Sequence, residues 1–186
     1  QKEAFTSGQI LVTEILVNPK AVSDEPGEWL ELYNPGELTI DVNGWVIRDQ
    51  GTKKFILKSA KPLFIPAGSY FVVGGSADKT QNGGAPVQIG WFVSPPSPFS
   101  LPNVSQGDVI VEWNGKVIDQ VTFSPKGFVC TLPNPPPNCG PTTGFPVVEG
   151  KSMQLDPAAY DPTKNDDYKN WCEAQDPYGD GDWGSP

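Results

Sequence analysis

The density of glycine and proline is the feature that most limits what this chain can fold into. The 186 residues include 20 glycines and 21 prolines, and both residue types interrupt helices and strands. Regular elements must therefore be short and joined by many turns. Valine and isoleucine together outnumber leucine by 26 to 10, and β-branched side chains favour strands. This combination predicts an all-β domain, and the length is enough for a sizeable core.

The clearest local signal is a hairpin over residues 108–123. Asn114-Gly115 stands between two alternating apolar runs, and this pair suits a type I′ turn, in which both central residues have positive φ. Other strand patterns occupy residues 9–17, 28–33, 38–42, 44–49, 53–58, 69–75 and 87–93. Short turns are expected near residues 157–160 and 166–171. About eight to ten short strands separated by turns and long loops predict an antiparallel β-sandwich or barrel.

The stretch EWLELYNPG, residues 28–36, combines a strand pattern with two glutamates. Alternation along a strand places Leu30 and Leu32 on one face and Trp29 and Glu31 on the other. Asn-Pro-Gly then ends the strand, because proline lacks an N–H donor and glycine accepts the turn conformation. The strand therefore has an aliphatic face and an amphipathic face.

The charge of the chain argues against nucleic acid as a partner. The net charge is −9 and Arg48 is the single arginine, whereas binding to phosphates depends on clustered lysine and arginine. Residues 156–186 carry eight acidic side chains against two lysines. No apolar run approaches the roughly 20 residues that a membrane-spanning helix needs.

The absence of histidine excludes Ser-His-Asp and Cys-His catalysis. Glu14 in the first predicted strand and Glu31 in the second would be neighbours in an antiparallel pair. Two close carboxyl groups can perform general acid–base chemistry, so a small carboxylate-dependent hydrolase is one alternative. The other interpretation is that these glutamates hydrogen-bond to nearby donors or face water, and we expect no catalytic residues.

The acidic C-terminal residues raise the alternative of a calcium site. Calcium prefers six to eight oxygen ligands, and the segments NDD and DPYGDGD supply carboxylates without the spacing of an EF-hand. The candidate ligands are Asp166, Asp167, Asp176, Asp180 and Asp182. The alternative is a solvated acidic segment. No other cofactor is expected.

Two further features concern aromatic rings and cysteines. Trp91, Phe92 and Phe99 lie around the proline-rich SPPSP segment and form a candidate binding surface for a sugar or peptide, or else they cap the core.

Cys130 and Cys139 bracket TLPNPPPN, and a disulfide between them would close that loop, which implies an oxidising compartment. Unpaired thiols, or a bridge from either one to Cys172, are the alternatives.

The order of these segments resembles the lamin tail domain, an immunoglobulin-like module. The resemblance runs from about Ile10 to Phe123, and GKSMQLDP, NDDYKNWCEA and GDWGSP look like the closing segment of bacterial extracellular members. The resemblance implies a non-catalytic immunoglobulin-like β-sandwich in which Glu14, Glu31 and Asn34 form a structural polar cluster. The residues that match the family pattern are Glu14, Asn18, Glu28, Trp29, Glu31, Leu32, Asn34, Gly44, Trp45 and Asp119.

The resemblance also implies a place and a role for the protein. We expect a non-catalytic binding or architectural module of a secreted or cell-surface bacterial protein, with a protein or a glycan as its partner. The alternatives are a calcium-stabilised carbohydrate-binding module and the hydrolase based on Glu14 and Glu31. We divide the chain into an N-terminal extension (1–8), the sandwich domain (9–172, with an insertion at 125–150) and an acidic C-terminal segment or linker (173–186).

Overall fold

A computed structural model describes residues 5–92, 97–125 and 144–186. One four-residue helix, α1 (Asp24–Gly27), follows the first strand, and two short 3-10 helices occupy Pro157–Ala159 and Tyr168–Asn170. The strands are β1 (Leu11–Leu16), β2 (Trp29–Tyr33), β3 (Ile40–Asp41), β4 (Val46–Arg48), β5 (Lys54–Ile56), β6 (Phe64–Ile65), β7 (Tyr70–Gly74), β8 (Ile89–Gly90), β9 (Gly107–Trp113), β10 (Lys116–Phe123), β11 (Met153–Leu155), β12 (Trp171–Glu173), β13 (Pro177–Tyr178) and β14 (Asp182–Trp183).

The larger sheet contains six strands in the order β12-β11-β1-β2-β7-β8. Its pairs are antiparallel except for β7 and β8, which run parallel. Strand β1 is interior to the sheet, because it pairs with β2 along one edge and with β11 along the other. The C-terminal part of the chain therefore completes a sheet that begins near the N-terminus.

The smaller sheet contains four strands in the order β10-β9-β4-β5. Strands β9 and β10 form the predicted hairpin, and its turn residues Asn114 and Gly115 have φ of 49° and 77°, as a type I′ turn requires. Arg48 on β4 forms an ion pair with Glu112 on β9 at 2.8 Å. The single arginine thus connects two strands of this sheet.

The main hydrophobic core lies between the two sheets. Val12, Leu30 and Leu32 from the larger sheet and Ile47 and Val111 from the smaller one are completely buried in it. This is the aliphatic face predicted for EWLELY. The prediction of an all-β, immunoglobulin-like sandwich is confirmed, with small two-stranded ribbons β3-β6 and β13-β14 added to the two sheets.

A second, smaller apolar cluster covers the outer face of the larger sheet. Its buried members are Leu16, Trp29, Val72, Ala85 and Val87, and Tyr178 packs against them. Strand β7 therefore contributes apolar side chains to both faces of the sheet, with Phe71 and Val73 in the main core and Val72 in this cluster.

None of the helices in the described ranges has the length and apolar character that crossing a bilayer requires.

Candidate functional site

Glu14 and Glu31 lie opposite each other on the antiparallel strands β1 and β2. The register shifts between Val12 and Glu14, so that Thr13 is an extra residue in β1, which is the pattern of a β-bulge. Thr13, Glu14 and Glu31 all line one cleft on the outer face of the larger sheet. The bulge thus brings two consecutive residues of β1 beside a glutamate of β2.

Glu14 is held by hydrogen bonds from two C-terminal residues. The Ser152 hydroxyl donates to Glu14 Oε1 at 2.5 Å, the Ser185 N–H donates to Oε1 at 2.9 Å, and the Ser185 hydroxyl donates to Oε2 at 3.1 Å. Gly184 packs so closely that a Cβ there would lie 2.8 Å from Glu14 Oε1. Both oxygens of Glu14 are therefore occupied.

Glu31 is held far less completely than Glu14. Its side chain is 4% exposed, and the Thr13 hydroxyl donates to its Oε1 at 2.7 Å. Burial raises the pKa of Glu31 to about 8; the Thr13 hydrogen bond opposes the rise, and the charge of Glu14 adds to it. The protonated form of Glu31 therefore predominates at neutral pH.

The cleft has a volume of about 530 Å³ and combines aromatic with polar walls. Tyr70, Tyr160 and Trp171 supply aromatic rings, and Asp156 and Lys169 supply charges. Tyr70 is 46% exposed, and its hydroxyl lies 3.4 Å from that of Tyr160. A cleft with a few polar groups among aromatic side chains is typical of a ligand site.

Asn34 does not join the two glutamates. Its amide nitrogen donates to the carbonyl oxygens of Leu38 and Ile65, and its carbonyl oxygen accepts from the Gly36 N–H. Asn34 is completely buried and fixes the Asn-Pro-Gly turn that ends β2. The polar cluster expected of Glu14, Glu31 and Asn34 is thus a pair, and Asn34 has a separate structural role.

Two of the three rings expected on a binding surface lie in the main core. Trp91 and Phe99 are completely buried and pack edge to face with ring centroids 5.2 Å apart. Phe92 is half-buried against the same core. Trp91 and Phe99 leave no ring face open to a ligand. Their position therefore agrees with the alternative interpretation, in which these rings cap the core.

The five acidic residues considered for calcium do not form a cluster of three or more metal ligands in the structure. Asp182 is 1% exposed, and its Oδ1 accepts from the N–H groups of Lys20 and Ala21. Asp167 accepts from the Lys169 N–H and caps a 3-10 helix, while Asp166, Asp176 and Asp180 are exposed. Among residues 5–92, 97–125 and 144–186, no three acidic or cysteine side chains are placed to hold a metal ion.

The C-terminal segment packs against the sandwich. Trp29 Nε1 donates to the Tyr178 hydroxyl oxygen at 2.7 Å, the Trp183 N–H donates to the Gly150 carbonyl, and the Ser152 N–H donates to the Trp183 carbonyl. These contacts place residues 174–186 over the outer face of the larger sheet. The expected boundaries at residues 8 and 172 stay predictions.

The cysteines fall into two groups. Cys130 and Cys139 lie outside the described residues, so their disulfide stays a prediction. Cys172 is an exposed free thiol on β12 and lines the cleft. Burial raises its pKa, and the charges of Asp156, Glu14 and Glu173 raise it further. Cys172 is therefore a protonated thiol at neutral pH.

The comparison with known proteins places this fold in a family. The sequence model of the lamin tail domain matches residues 3–125, which is most of the chain and includes β1 to β10. The chain belongs to the lamin tail domain family. This match confirms the resemblance to the lamin tail domain, while the bacterial extracellular type stays a prediction. Domains of this family are immunoglobulin-like and non-catalytic. No curated protein matches the chain.

The matched range supplies one wall of the cleft, and the rest comes from elsewhere. Thr13, Glu14, Glu31 and Tyr70 lie inside residues 3–125, whereas Tyr160 and Ser185 lie beyond it. Sequence reasoning missed Tyr70, although its alternation with Val72 on β7 puts it on the outer face of the sheet. It also missed Tyr160 and Ser185, because no local pattern connects them to β1 or β2.

Proposed function

We propose that this chain is a non-catalytic binding module of a secreted or cell-surface bacterial protein, and that the cleft beside Glu14 and Glu31 is its ligand site. The observation that carries the proposal is an open cleft of about 530 Å³ in which a buried carboxyl and two tyrosine hydroxyls line the same space. The ligand is a segment of a protein or of a glycan, since both can use aromatic and carboxyl groups.

The position of the cleft supports this role. It lies on the outer face of the larger sheet, so a ligand can occupy it without disturbing the core between the sheets. Lamin tail domains are non-catalytic, and Glu14, the partner that a hydrolase would need beside Glu31, has both oxygens occupied by serine donors. The cleft therefore favours binding over hydrolysis. Calcium-dependent binding has less support, because no acidic cluster forms in the described ranges.

A titration followed by NMR tests the proposal. Isotope-labelled protein would be mixed with a panel of soluble oligosaccharides and short peptides. We expect saturable shifts at residues that line the cleft, and Tyr70→Ala should weaken them because Tyr70 presents an exposed ring there. Phe64→Ala is the matched control, since Phe64 is 57% exposed on the ribbon strand β6. Saturable shifts confined to other surfaces, or equal loss in both variants, would exclude this cleft as the ligand site.

A further inference from the structure

Glu31 is a buried carboxyl with an oxygen that the protein leaves open. Its Oε1 accepts from Thr13, and the described parts of the chain provide no donor for Oε2. A buried carboxylate is unfavourable unless it is paired with a cation or fully hydrogen-bonded. Glu31 Oε2 is not among the fully buried atoms that lack a partner, so solvent or a ligand reaches it through the cleft. In this partly desolvated position a proton or a positive group stabilises the carboxyl.

The described residues do not supply that positive group. The ion pairs of the described residues are Arg48 with Glu112 and Lys151 with Glu173, so neither glutamate of the cleft has a cation of its own. Lys169 lies at the cleft, but its Nζ is over the ring of Tyr168, 6.0 Å from the centroid. With Glu14, Glu31 and Asp156 as the acidic groups, the cleft carries an excess of carboxyl groups over cations.

The shape and chemistry of the cleft indicate an organic cation rather than a metal ion. No three acidic or cysteine side chains of the described chain converge on a point, whereas Tyr70, Tyr160 and Trp171 line the same space. Aromatic walls suit an alkyl chain that ends in a cation, through apolar contact and cation–π attraction. The volume of about 530 Å³ accommodates a long side chain.

The single open oxygen of Glu31 distinguishes between the two long cationic side chains. Arginine binds a carboxylate best through two parallel hydrogen bonds to both oxygens, and it would have to share Oε1 with the Thr13 hydroxyl. The ammonium group of lysine is a compact charge that needs one acceptor. The geometry therefore favours lysine.

We infer that the cleft receives a lysine side chain of a partner protein, whose ammonium group takes the place of the proton on Glu31. This inference rests on the proposed function, because it names the ligand of the same cleft. On binding, Glu31 releases its proton to solvent and becomes the carboxylate that pairs with the ammonium. No covalent bond forms or breaks in the partner.

Binding should therefore depend on pH. Burial raises the pKa of Glu31 to about 8, so below that pH the ligand must displace a proton, and affinity should rise by up to about tenfold per pH unit between about pH 6 and pH 7.5. The other titratable groups that line the cleft are Glu14, Asp156, Tyr70, Tyr160, Lys169 and Cys172. The pKa values of Tyr160 and Cys172 are both raised, by burial first, so these two groups stay neutral over this interval.

The test uses the blocked tripeptide acetyl-Gly-Lys-Gly-amide and the same peptide with Nε-acetyl-lysine, titrated into the full chain and followed by NMR. We expect the charged peptide to shift cleft signals saturably and the acetylated peptide to bind at least about tenfold more weakly at pH 8. Glu31→Gln should lower the affinity at pH 8 by about tenfold or more and remove the pH dependence. Lys169→Ala should raise the affinity, because it removes a like charge from the cleft.

Glu28→Gln is the matched control. Glu28 is also a buried glutamate whose pKa is raised to about 8 by burial, but it accepts from the Leu101 N–H and does not line the cleft. This variant should keep the wild-type affinity and pH profile. Equal binding of the two peptides, or an unchanged profile in Glu31→Gln, would overturn the inference.

The outcomes separate this inference from the proposed function. If an oligosaccharide shifts the cleft signals and the lysine peptide does not, the lysine inference fails while the cleft stays a ligand site. If the lysine peptide shifts signals only on other surfaces, the lysine inference fails, and the panel of ligands then decides on the cleft. If neither kind of ligand shifts cleft residues, both proposals fail.

Discussion

Trp29 Nε1 donates a hydrogen bond of 2.7 Å to the hydroxyl oxygen of Tyr178, and the two rings pack edge to face at 5.8 Å. Trp29 lies in β2 within the family-matched range, and Tyr178 lies in β13 beyond it. Because Trp29 is completely buried, its N–H depends on this partner. The relationship shows that the C-terminal segment completes the outer face of the sheet.

Tyr178→Phe should therefore reduce stability. Loss of the hydroxyl leaves the buried indole N–H without a partner, and we expect the free energy of unfolding to fall by about 1–3 kcal/mol. Urea denaturation measures the change. Tyr168→Phe is the control, since no hydrogen bond to the Tyr168 hydroxyl is formed in the described structure, and it should change stability by less than about 0.5 kcal/mol. Equal losses in the two variants would contradict the assigned role of the Trp29–Tyr178 bond.

A chain cut after residue 125, at the end of the family-matched range, should not form a stable monomer. The cut removes β11 and β12 and so exposes the edge of β1, and an exposed apolar edge favours association. It also uncovers Trp29 and removes the serine donors of Glu14. Thermal unfolding and size-exclusion chromatography test this expectation. A truncated monomer that unfolds cooperatively at the temperature of the full chain would show that the C-terminal part is dispensable.

Stability should fall as pH rises from about 5 to 8. Burial raises the pKa of Glu28 and Glu31 from 4.5 to about 8 and that of Asp119 from 3.8 to about 7. In this interval the folded state binds more protons than the unfolded state, so each group lowers stability by at most about 1.4 kcal/mol per pH unit. Below the unfolded pKa values their contribution is fully present. Urea denaturation at several pH values measures the slope.

Glu31→Gln provides the matched variant for that slope. Glutamine resembles the protonated carboxyl, so the variant should equal the wild type at pH 5 and be more stable at pH 8. A large loss of stability at pH 5 would mean that Glu31 is needed as a carboxylate in the folded protein. A wild-type stability that increases from pH 5 to 8 would contradict the raised pKa values.

Calcium should leave thermal stability unchanged. Asp182 accepts two backbone N–H bonds, and no metal cluster forms among the described side chains. We therefore expect no calcium binding that would stabilise the folded state. The midpoint should shift by less than about 1 °C between calcium and chelator. A rise that saturates with calcium would restore the metal-site alternative and would call for variants of Asp176 and Asp180.

Cys130 and Cys139 should form a disulfide in protein produced in an oxidising compartment. The bridge would close the proline-rich TLPNPPPN loop and add roughly 2–3 kcal/mol of stability. Alkylation of unreduced, denatured protein followed by mass spectrometry should then label Cys172 alone, because its thiol is free. Labelling of all three cysteines would exclude the bridge, and labelling of Cys130 or Cys139 in place of Cys172 would indicate the rival pairing.

The strand pattern could be predicted where local chemistry decides it. Asn114-Gly115 determines a hairpin because few other residues accept positive φ at both positions, and the alternation of Trp29 to Tyr33 assigns each face of β2 correctly. The helix Asp24–Gly27 and the strands β6 and β11 to β14 were not predicted. These elements are only two to four residues long, and tertiary contacts rather than local propensity stabilise them.

The site could be predicted only in part, for the same reason. Strand order places Glu14 next to Glu31, but it does not reveal that Ser185 will donate to Glu14. The sequence suggests that Asp182 is a solvated charge. In the structure it accepts hydrogen bonds from the backbone N–H groups of Lys20 and Ala21, which are more than 160 residues away. Trp91 and Phe99 beside prolines suggest an open surface, and only the packing of the two sheets shows that they are buried.

The serine donors of Glu14 also determine at what stage of chain synthesis the cleft can form. Ser152 and Ser185 follow Glu14 by 138 and 171 residues. At about 5–20 residues per second, a ribosome completes Ser185 roughly ten to thirty seconds after Glu14. During that interval β1 and β2 can already pair, but the wall that holds Glu14 is missing. The proposed ligand site is therefore incomplete in a nascent chain until synthesis has passed Ser185.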